Sequence, residues 1–309
     1  MAHIYDTIII GGGPAGLSAG LYAARSKMDT LLIERAKFGG QAVTTDELEN
    51  YPGSIEECTG SKLIERMRKQ AEEFGTNFVK DEVLEVDFTG EIKVIKCRKE
   101  TYEARTVIIA TGAYPRLGGF KNELELRGKG VSYCATCDAD FFTELDVAVI
   151  GGGDSAITEA IYLTKFADSV TVIHRRNELR AAKSLVERAY NNPKIKFVLD
   201  TVVEEAHGDE ILEGLTLKNV KTGELSELKV DGCFVFVGYL PISELFKGKV
   251  NMNDRGDIIT DADMRTDIPG VLAAGDIREK SLRQVITAAA DGAIAATTAE
   301  VYISDKFHK

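Results

Sequence analysis

Proline is scarce in this 309-residue chain, at six residues, and no apolar run reaches about 18 residues. The missing run excludes a membrane-spanning helix. Few prolines beside 44% hydrophobic and 28% charged residues exclude a disordered or fibrous chain. The residues before Gly11 offer no basic start, no extended apolar core and no small-residue cleavage site, so a cytoplasmic location is expected. Basic charge is in deficit, with 38 Lys and Arg against 49 Asp and Glu and a formal net charge of -11. Nucleic acid is therefore a poor partner, because its affinity comes from cations neutralising phosphates. Five cysteines, an odd number, do not make a secreted disulfide framework. Cys58, Cys97 and Cys233 stand alone and read as small buried apolar residues. No metal is expected, because structural zinc needs four ligands and this chain has four histidines and a single close cysteine pair.

Glycine is the residue in excess, at 29. Asp6 to Arg35, DTIIIGGGPAGLSAGLYAARSKMDTLLIER, reads as strand, glycine turn, helix and strand, and Asp146 to Arg176, DVAVIGGGDSAITEAIYLTKFADSVTVIHRR, repeats that grammar. Two βαβ units so far apart point to an α/β chain with two Rossmann-like three-layer nucleotide-binding domains, two being the number the length suggests. Pro115 and Pro241 bracket the second unit. They imply an insertion over 114–244, inside a domain made of 1–113 and 245–309.

In the first loop Gly11, Gly13 and Gly16, with Pro14 and Ala15 between them, fit G-x-G-x-x-G. The first glycine permits the turn, the second lets a pyrophosphate approach the backbone, and the third lets helix and strand pack closely. Glu34 ends the next strand, where an acid takes ribose hydroxyls. The second loop, Gly151, Gly153 and Ala156 around Asp154 and Ser155, is the G-x-G-x-x-A form. Its next strand ends in His174, Arg175 and Arg176, with Arg180 beyond. Guanidinium groups there suit the 2′-phosphate of NADP, whereas an acid would suit NAD. A solvated basic face is the plainer alternative, and the position at the strand end favours the phosphate.

Cys134-Ala135-Thr136-Cys137 lies between the two loops. This spacing lowers one thiol pKa and lets the pair cycle between dithiol and disulfide. Asp138 follows directly as a carboxylate suited to moving the thiol proton, or as a helix cap.

GGGPAG, KFGGQ (Lys37 to Gln41), ELENYPG (Glu47 to Gly53), ATGA (Ala110 to Ala113), CATCD (Cys134 to Asp138), GGGDSA, HRRNELRA and AAGDIREKSLRQVITAAADG occur in this order over nearly the whole chain. Together they resemble the low-molecular-weight bacterial thioredoxin reductases. The resemblance implies a homodimer that passes electrons from NADPH through FAD to the dithiol and on to thioredoxin or a thioredoxin-like protein. It implies an FAD domain over 1–113 and 245–309 and an NADPH domain over 114–244. Flavin positions carried over are Gly40, Gln41 and Asn50, then Ala110, Thr111 and Gly112, then Gly275, Asp276, Arg283, Gln284 and Val285. Cys137 would face the flavin, Cys134 would exchange with the partner disulfide, and Asp138 would be the acid/base. Rotation of the inserted domain is implied as well, with hinges expected near Pro115–Gly119 and Gly238–Glu244. Ala139 departs from the Gly of many members, which leaves the local backbone as the point to inspect. Rivals of the same fold are a ferredoxin-dependent reductase and a dithiol oxidase, against which the retained arginines count. A third rival, the flavoprotein partner of a peroxiredoxin, carries an extra N-terminal redox domain.

Overall fold

The computed structural model describes residues 3–44, 48, 50–54 and 59–307. Cys58, and Glu47 and Glu49 of the ELENYPG segment, lie outside the described residues. The chain divides into two compact units, Met1–Tyr114 with Leu240–Lys309, and Pro115–Tyr239.

The first unit starts with β1 (Ile4–Ile10), α1 (Pro14–Arg25), β2 (Thr30–Glu34), α2 (Gly60–Glu73), β3 (Asn77–Lys80), β4 (Val83–Asp87), β5 (Lys93–Cys97) and β6 (Thr101–Ile109). Unbroken apolar runs such as Ile8–Ile10 mark strands covered on both faces. Accordingly β1 lies between β2 and β6, parallel to both, and β3 adds outside β2. The early part of β6 pairs antiparallel with β5, which pairs with β4. The chain leaves this unit in β7 (Ala113–Pro115).

The second unit contains β8 (Val131–Ser132), α3 (Ala135–Asp138), β9 (Asp146–Ile150), α4 (Asp154–Leu163), β10 (Ser169–Ile173), α5 (Lys183–Tyr190), β11 (Ile195–Val198), β12 (Thr201–His207), β13 (Gly214–Asn219), β14 (Leu225–Leu228) and β15 (Gly232–Val235). A parallel sheet in the order β11-β10-β9-β15-β8 forms its middle layer. Ile157 and Ala160 of α4 pack on one face with Val147, Val149 and Phe234. The antiparallel sheet β12-β13-β14 covers the other, with Val203, Leu215 and Leu217 against Ala148, Ile173 and Cys233. This is the three-layer arrangement expected of a nucleotide-binding domain.

The chain returns through β16 (Tyr239–Pro241), which pairs with β7. Phe246, just beyond, is fully buried in a core of the first unit, so Ile242 to Phe246 belong there. β17 (Val271–Ala273) pairs parallel with the end of β6, and α6 (Val285–Phe307) packs on α1. A Cβ at Gly292 would sit 2.0 Å from the Ala15 carbonyl oxygen, so only glycine permits that crossing. No helix among the described residues is long and apolar enough to cross a membrane.

Candidate active site

In the first unit the glycine loop is dictated by space. Gly11 has φ +113°, and a Cβ there would meet the Ala110 carbonyl oxygen at 2.4 Å. A Cβ on Gly16 would meet the Gly11 carbonyl oxygen at 1.9 Å, which is the close packing that the third glycine serves. Gly13 precedes α1, whose first residue is Pro14, where a missing N–H costs nothing. Around Gly13 there is room: a Cβ there would find only the Gly40 Cα, at 4.0 Å. Bare backbone at a helix N-terminus with such a slot suits a diphosphate. Both Glu34 oxygens are engaged at 2.8 Å, by the amides of Gly12 and Ala36, which pins the acid to the turn.

Gly11, Glu34, Ala110 and Gly275 all lie at the carboxyl ends of neighbouring parallel strands, where ligands of open α/β sheets bind. Thr111 donates to the Ile242 carbonyl at 2.8 Å, and Gly112 adopts φ +72° with open space where a Cβ would point. Gly40 and Gln41 open a 3-10 turn, and Asn50 donates to Gln284 at 3.1 Å, just before Val285 starts α6. Asp276 is the conspicuous group. Its Oδ1 is buried with no hydrogen-bond partner among the described residues, and burial raises its carboxyl to about 6 despite Lys280 and Arg283 nearby. Such an acceptor fits a ligand hydroxyl. Arg283 donates to buried Asp257 at 3.0 Å.

The second unit repeats the geometry. Gly151 has φ +150°, and its Cβ would meet the Phe236 carbonyl oxygen at 2.5 Å and the Ala156 Cβ at 2.6 Å. Gly153 caps α4 and faces open space, with Asp154 and Ser155 exposed in the first turn. The segment after β10 is tied back across this loop: the Arg180 amide donates to the Gly152 carbonyl at 2.6 Å and the Ala182 amide to Asp154 at 2.7 Å. Arg175, Arg176 and Arg180 are thereby brought beside the loop, exposed and in no ion pair among the described residues. His174 differs from them. Its ring is buried against Gly152, and burial followed by the arginines Arg180, Arg176 and Arg175 lowers its pKa. A neutral imidazole in that place packs the loop instead of offering charge to a phosphate.

The dithiol sits beyond β8, at the edge of the parallel sheet. Cys134 caps the short helix α3 and forms a disulfide with Cys137, their Cα atoms 5.3 Å apart. Both residues are half-buried, and Cys134 Sγ lies 3.4 Å from the Thr136 hydroxyl. Burial raises the Asp138 pKa, and a 2.5 Å hydrogen bond from Ser132 opposes that rise. Ala139 has an ordinary helical backbone, φ −59°, so alanine is unstrained there. The remaining described cysteines, Cys97 and Cys233, are free and buried; burial pushes the Cys97 thiol to about 12 and the Cys233 thiol higher still.

Three groups near these sites carry no signal in the sequence. Ser132 touches Asp138 directly. Glu123, 2% exposed, accepts from the amides of Gly118 and Gly119 and from the Tyr133 hydroxyl, each at 2.7 Å, so the expected hinge segment is tied at its glycine end to the residue before Cys134. Asp291 of α6 accepts on one oxygen from the Gly275 amide at 3.0 Å, Lys280 at 2.7 Å and Arg278 at 3.3 Å, and so fixes the turn carrying Asp276.

Two dinucleotide-type loops and a cysteine pair poised for exchange define a class of oxidoreductase. Residues 5–292 match the model of the pyridine nucleotide-disulphide oxidoreductases. The chain is 57% identical to the thioredoxin reductase of Peptoclostridium acidaminophilum over the whole of both chains, and 46% identical to that of Bacillus subtilis strain 168 over 98% of this chain and 96% of the relative. The crystal structure of thioredoxin reductase from Streptococcus pyogenes MGAS5005 superposes with a TM-score of 0.92 at 44% identity, over 99% of this chain and 100% of that one. The chain belongs to the pyridine nucleotide-disulphide oxidoreductases and, within them, to the low-molecular-weight thioredoxin reductases.

Proposed function

We propose that this chain is a thioredoxin-disulfide reductase, which takes electrons from NADPH through FAD to Cys134 and Cys137 and delivers them to oxidised thioredoxin or a thioredoxin-like protein. The observation that carries the reading is the Cys134–Cys137 disulfide beside a half-buried carboxylate, in the unit that presents exposed arginines at its glycine loop. FAD and NADPH supply the two-electron carriers that protein side chains lack.

The first unit would hold FAD. Gly11, Gly13, Pro14, Ala15 and Gly16 offer backbone to the pyrophosphate, Glu34 takes ribose, and Asp276 gives its unpartnered oxygen to a hydroxyl. Gly40, Gln41, Asn50, the Ala110–Gly112 turn and Arg283–Val285 line the remainder. The second unit would hold NADPH, with the pyrophosphate on Gly151 to Ala156 and the 2′-phosphate among Arg175, Arg176 and Arg180. Those arginines favour NADPH over ferredoxin as the donor. At the dithiol, Cys134 exchanges with the partner, Cys137 resolves, and Asp138 carries the proton. A homodimer completes the proposal, and sedimentation at micromolar concentration checks it.

The test is a steady-state assay with NADPH and thioredoxin. The purified protein should be yellow and should reduce thioredoxin, and Cys134→Ser should abolish that reduction while leaving flavin bound. A variant that still reduced thioredoxin, or a wild type that passed electrons only to oxygen, would sink the reading.

A further inference from the structure

Ser132 closes β8 two residues before the dithiol and is 6% exposed. Its hydroxyl joins two segments that the exchange chemistry needs in register. It accepts from the Cys134 amide at 3.1 Å and lies 2.5 Å from Asp138 Oδ2. The Cys134 carbonyl, at 3.4 Å, is a poorer acceptor for the one hydroxyl proton. Donation therefore runs from Cys134 N–H to Ser132 Oγ, and from Ser132 O–H to Asp138. The serine backbone is held independently of α3, because Ser132 pairs in register with fully buried Phe234 of β15. Ser132 is the only side chain hydrogen-bonded to Asp138 among the described residues.

We infer that Ser132 is a positioning residue for the proton transfers of the dithiol, holding the Asp138 carboxylate in place and ionised while it fixes the cap of the helix that carries Cys137. This rests on Asp138 acting as the acid/base proposed above. Charged groups on the surrounding elements are exposed Asp140 in the turn that follows, Asp154 and Glu159 on α4, and Glu123 beyond Tyr133. None of them bonds to Asp138. Burial pushes its carboxyl up, and the Ser132 hydrogen bond pulls it back.

In the exchange, the Cys134 thiol gives its proton to Asp138 as a Cys134 Sγ–S bond forms and the partner's S–S bond breaks. Asp138 returns that proton to the released partner thiolate. Cys137 Sγ then attacks Cys134 Sγ, and the partner's second sulfur leaves with the Cys137 proton. Two electrons and two protons pass from dithiol to partner. The first step needs Asp138 ionised, so the acidic limb of the pH profile should follow its pKa.

The experiment compares kcat/KM for thioredoxin against pH in the FAD-loaded wild type, Ser132→Ala, Ser132→Thr, Asp138→Asn and the Ser132→Ala/Asp138→Asn double variant. Loss of a hydroxyl bound to a carboxylate should move the acidic limb of Ser132→Ala upward by about one pH unit, with the alkaline plateau kept. Ser132→Thr should restore the limb. Asp138→Asn should remove it, and adding Ser132→Ala should change nothing more. The carboxyl infrared band of Asp138 in the oxidised protein should titrate higher in Ser132→Ala, a readout independent of turnover. Should Ser132→Ala fail to fold, the isosteric pair Ser132→Thr and Ser132→Val makes the same comparison. An active wild type whose limb and infrared midpoint stay put in the variants would overturn this inference alone. A wild type unable to reduce thioredoxin would overturn the functional reading and this inference with it.

Discussion

Asp276 shows how one side chain can work against the fold that carries it. Its carboxyl titrates at about 6 in the folded chain against an ordinary 3.8, chiefly through burial. The folded state therefore binds this proton more tightly than the unfolded state does. Below about pH 3 the group is largely protonated in both states and costs almost nothing, whereas above pH 6 it opposes folding by up to about 3 kcal/mol. Flavin-free Asp276→Asn should accordingly be more stable than wild type at pH 8 and by a much smaller margin at pH 4, as urea unfolding at both values would measure. The same variant should retain FAD less well. A gain of equal size at the two pH values would mean that ionisation is not its origin.

At the scale of elements, what held Asp276 in place was hidden from the sequence while the loops around it were not. Gly11, Gly16 and Gly151 are legible because the motif's spacing records a turn of positive φ at Gly11 and Gly151 and a tight local packing at Gly16, although the carbonyls that crowd Gly11 and Gly151, those of Ala110 and Phe236, come from distant segments. Asp291 sits in the run AAADG, where an acid on an alanine-rich helix reads as solvent-facing. It is buried only because α6 packs on α1 and returns over the Gly275 turn, bringing Lys280 and Arg278 to one carboxylate oxygen. Ser132 and Glu123 escaped notice for the same reason, since their partners are chosen by tertiary packing. His174 is placed by tertiary packing as well. Its neighbours are arginines, so it reads as part of a cationic cluster, but the ring is spent on filling the space over Gly152. Removing one member of a buried ion cluster strands the others, at about 3–5 kcal/mol. Asp291→Ala should therefore lower unfolding stability by an amount in that range, read from denaturant midpoints at constant m-value. A change under about 0.5 kcal/mol, the size of an ordinary surface substitution, would show that the cluster is not structural.

At the scale of the whole molecule, the hydrophobic cores among the described residues each draw on residues of one unit. The second unit is also continuous in sequence, Pro115–Tyr239, and its ends are joined by the Arg116 amide donating to the Gly238 carbonyl at 2.9 Å. A continuous segment with its own core and adjacent termini meets the conditions for folding alone. The first unit lacks that freedom, because β17 and α6 arrive from the far end of the chain to complete its sheet and cover α1. A fragment spanning Pro115–Tyr239 should therefore unfold cooperatively in urea. Because a ligand that binds only the folded state stabilises it by mass action, NADPH should raise the urea midpoint more than NADH does. Arg176→Ala, which removes a guanidinium but no core contact, should erase most of that difference while leaving the ligand-free midpoint unchanged. A fragment without a cooperative transition would show that its cores depend on the rest of the chain. A folded fragment stabilised equally by both nucleotides would show that the exposed arginines beside Gly151 and Gly153 do not read the 2′-phosphate.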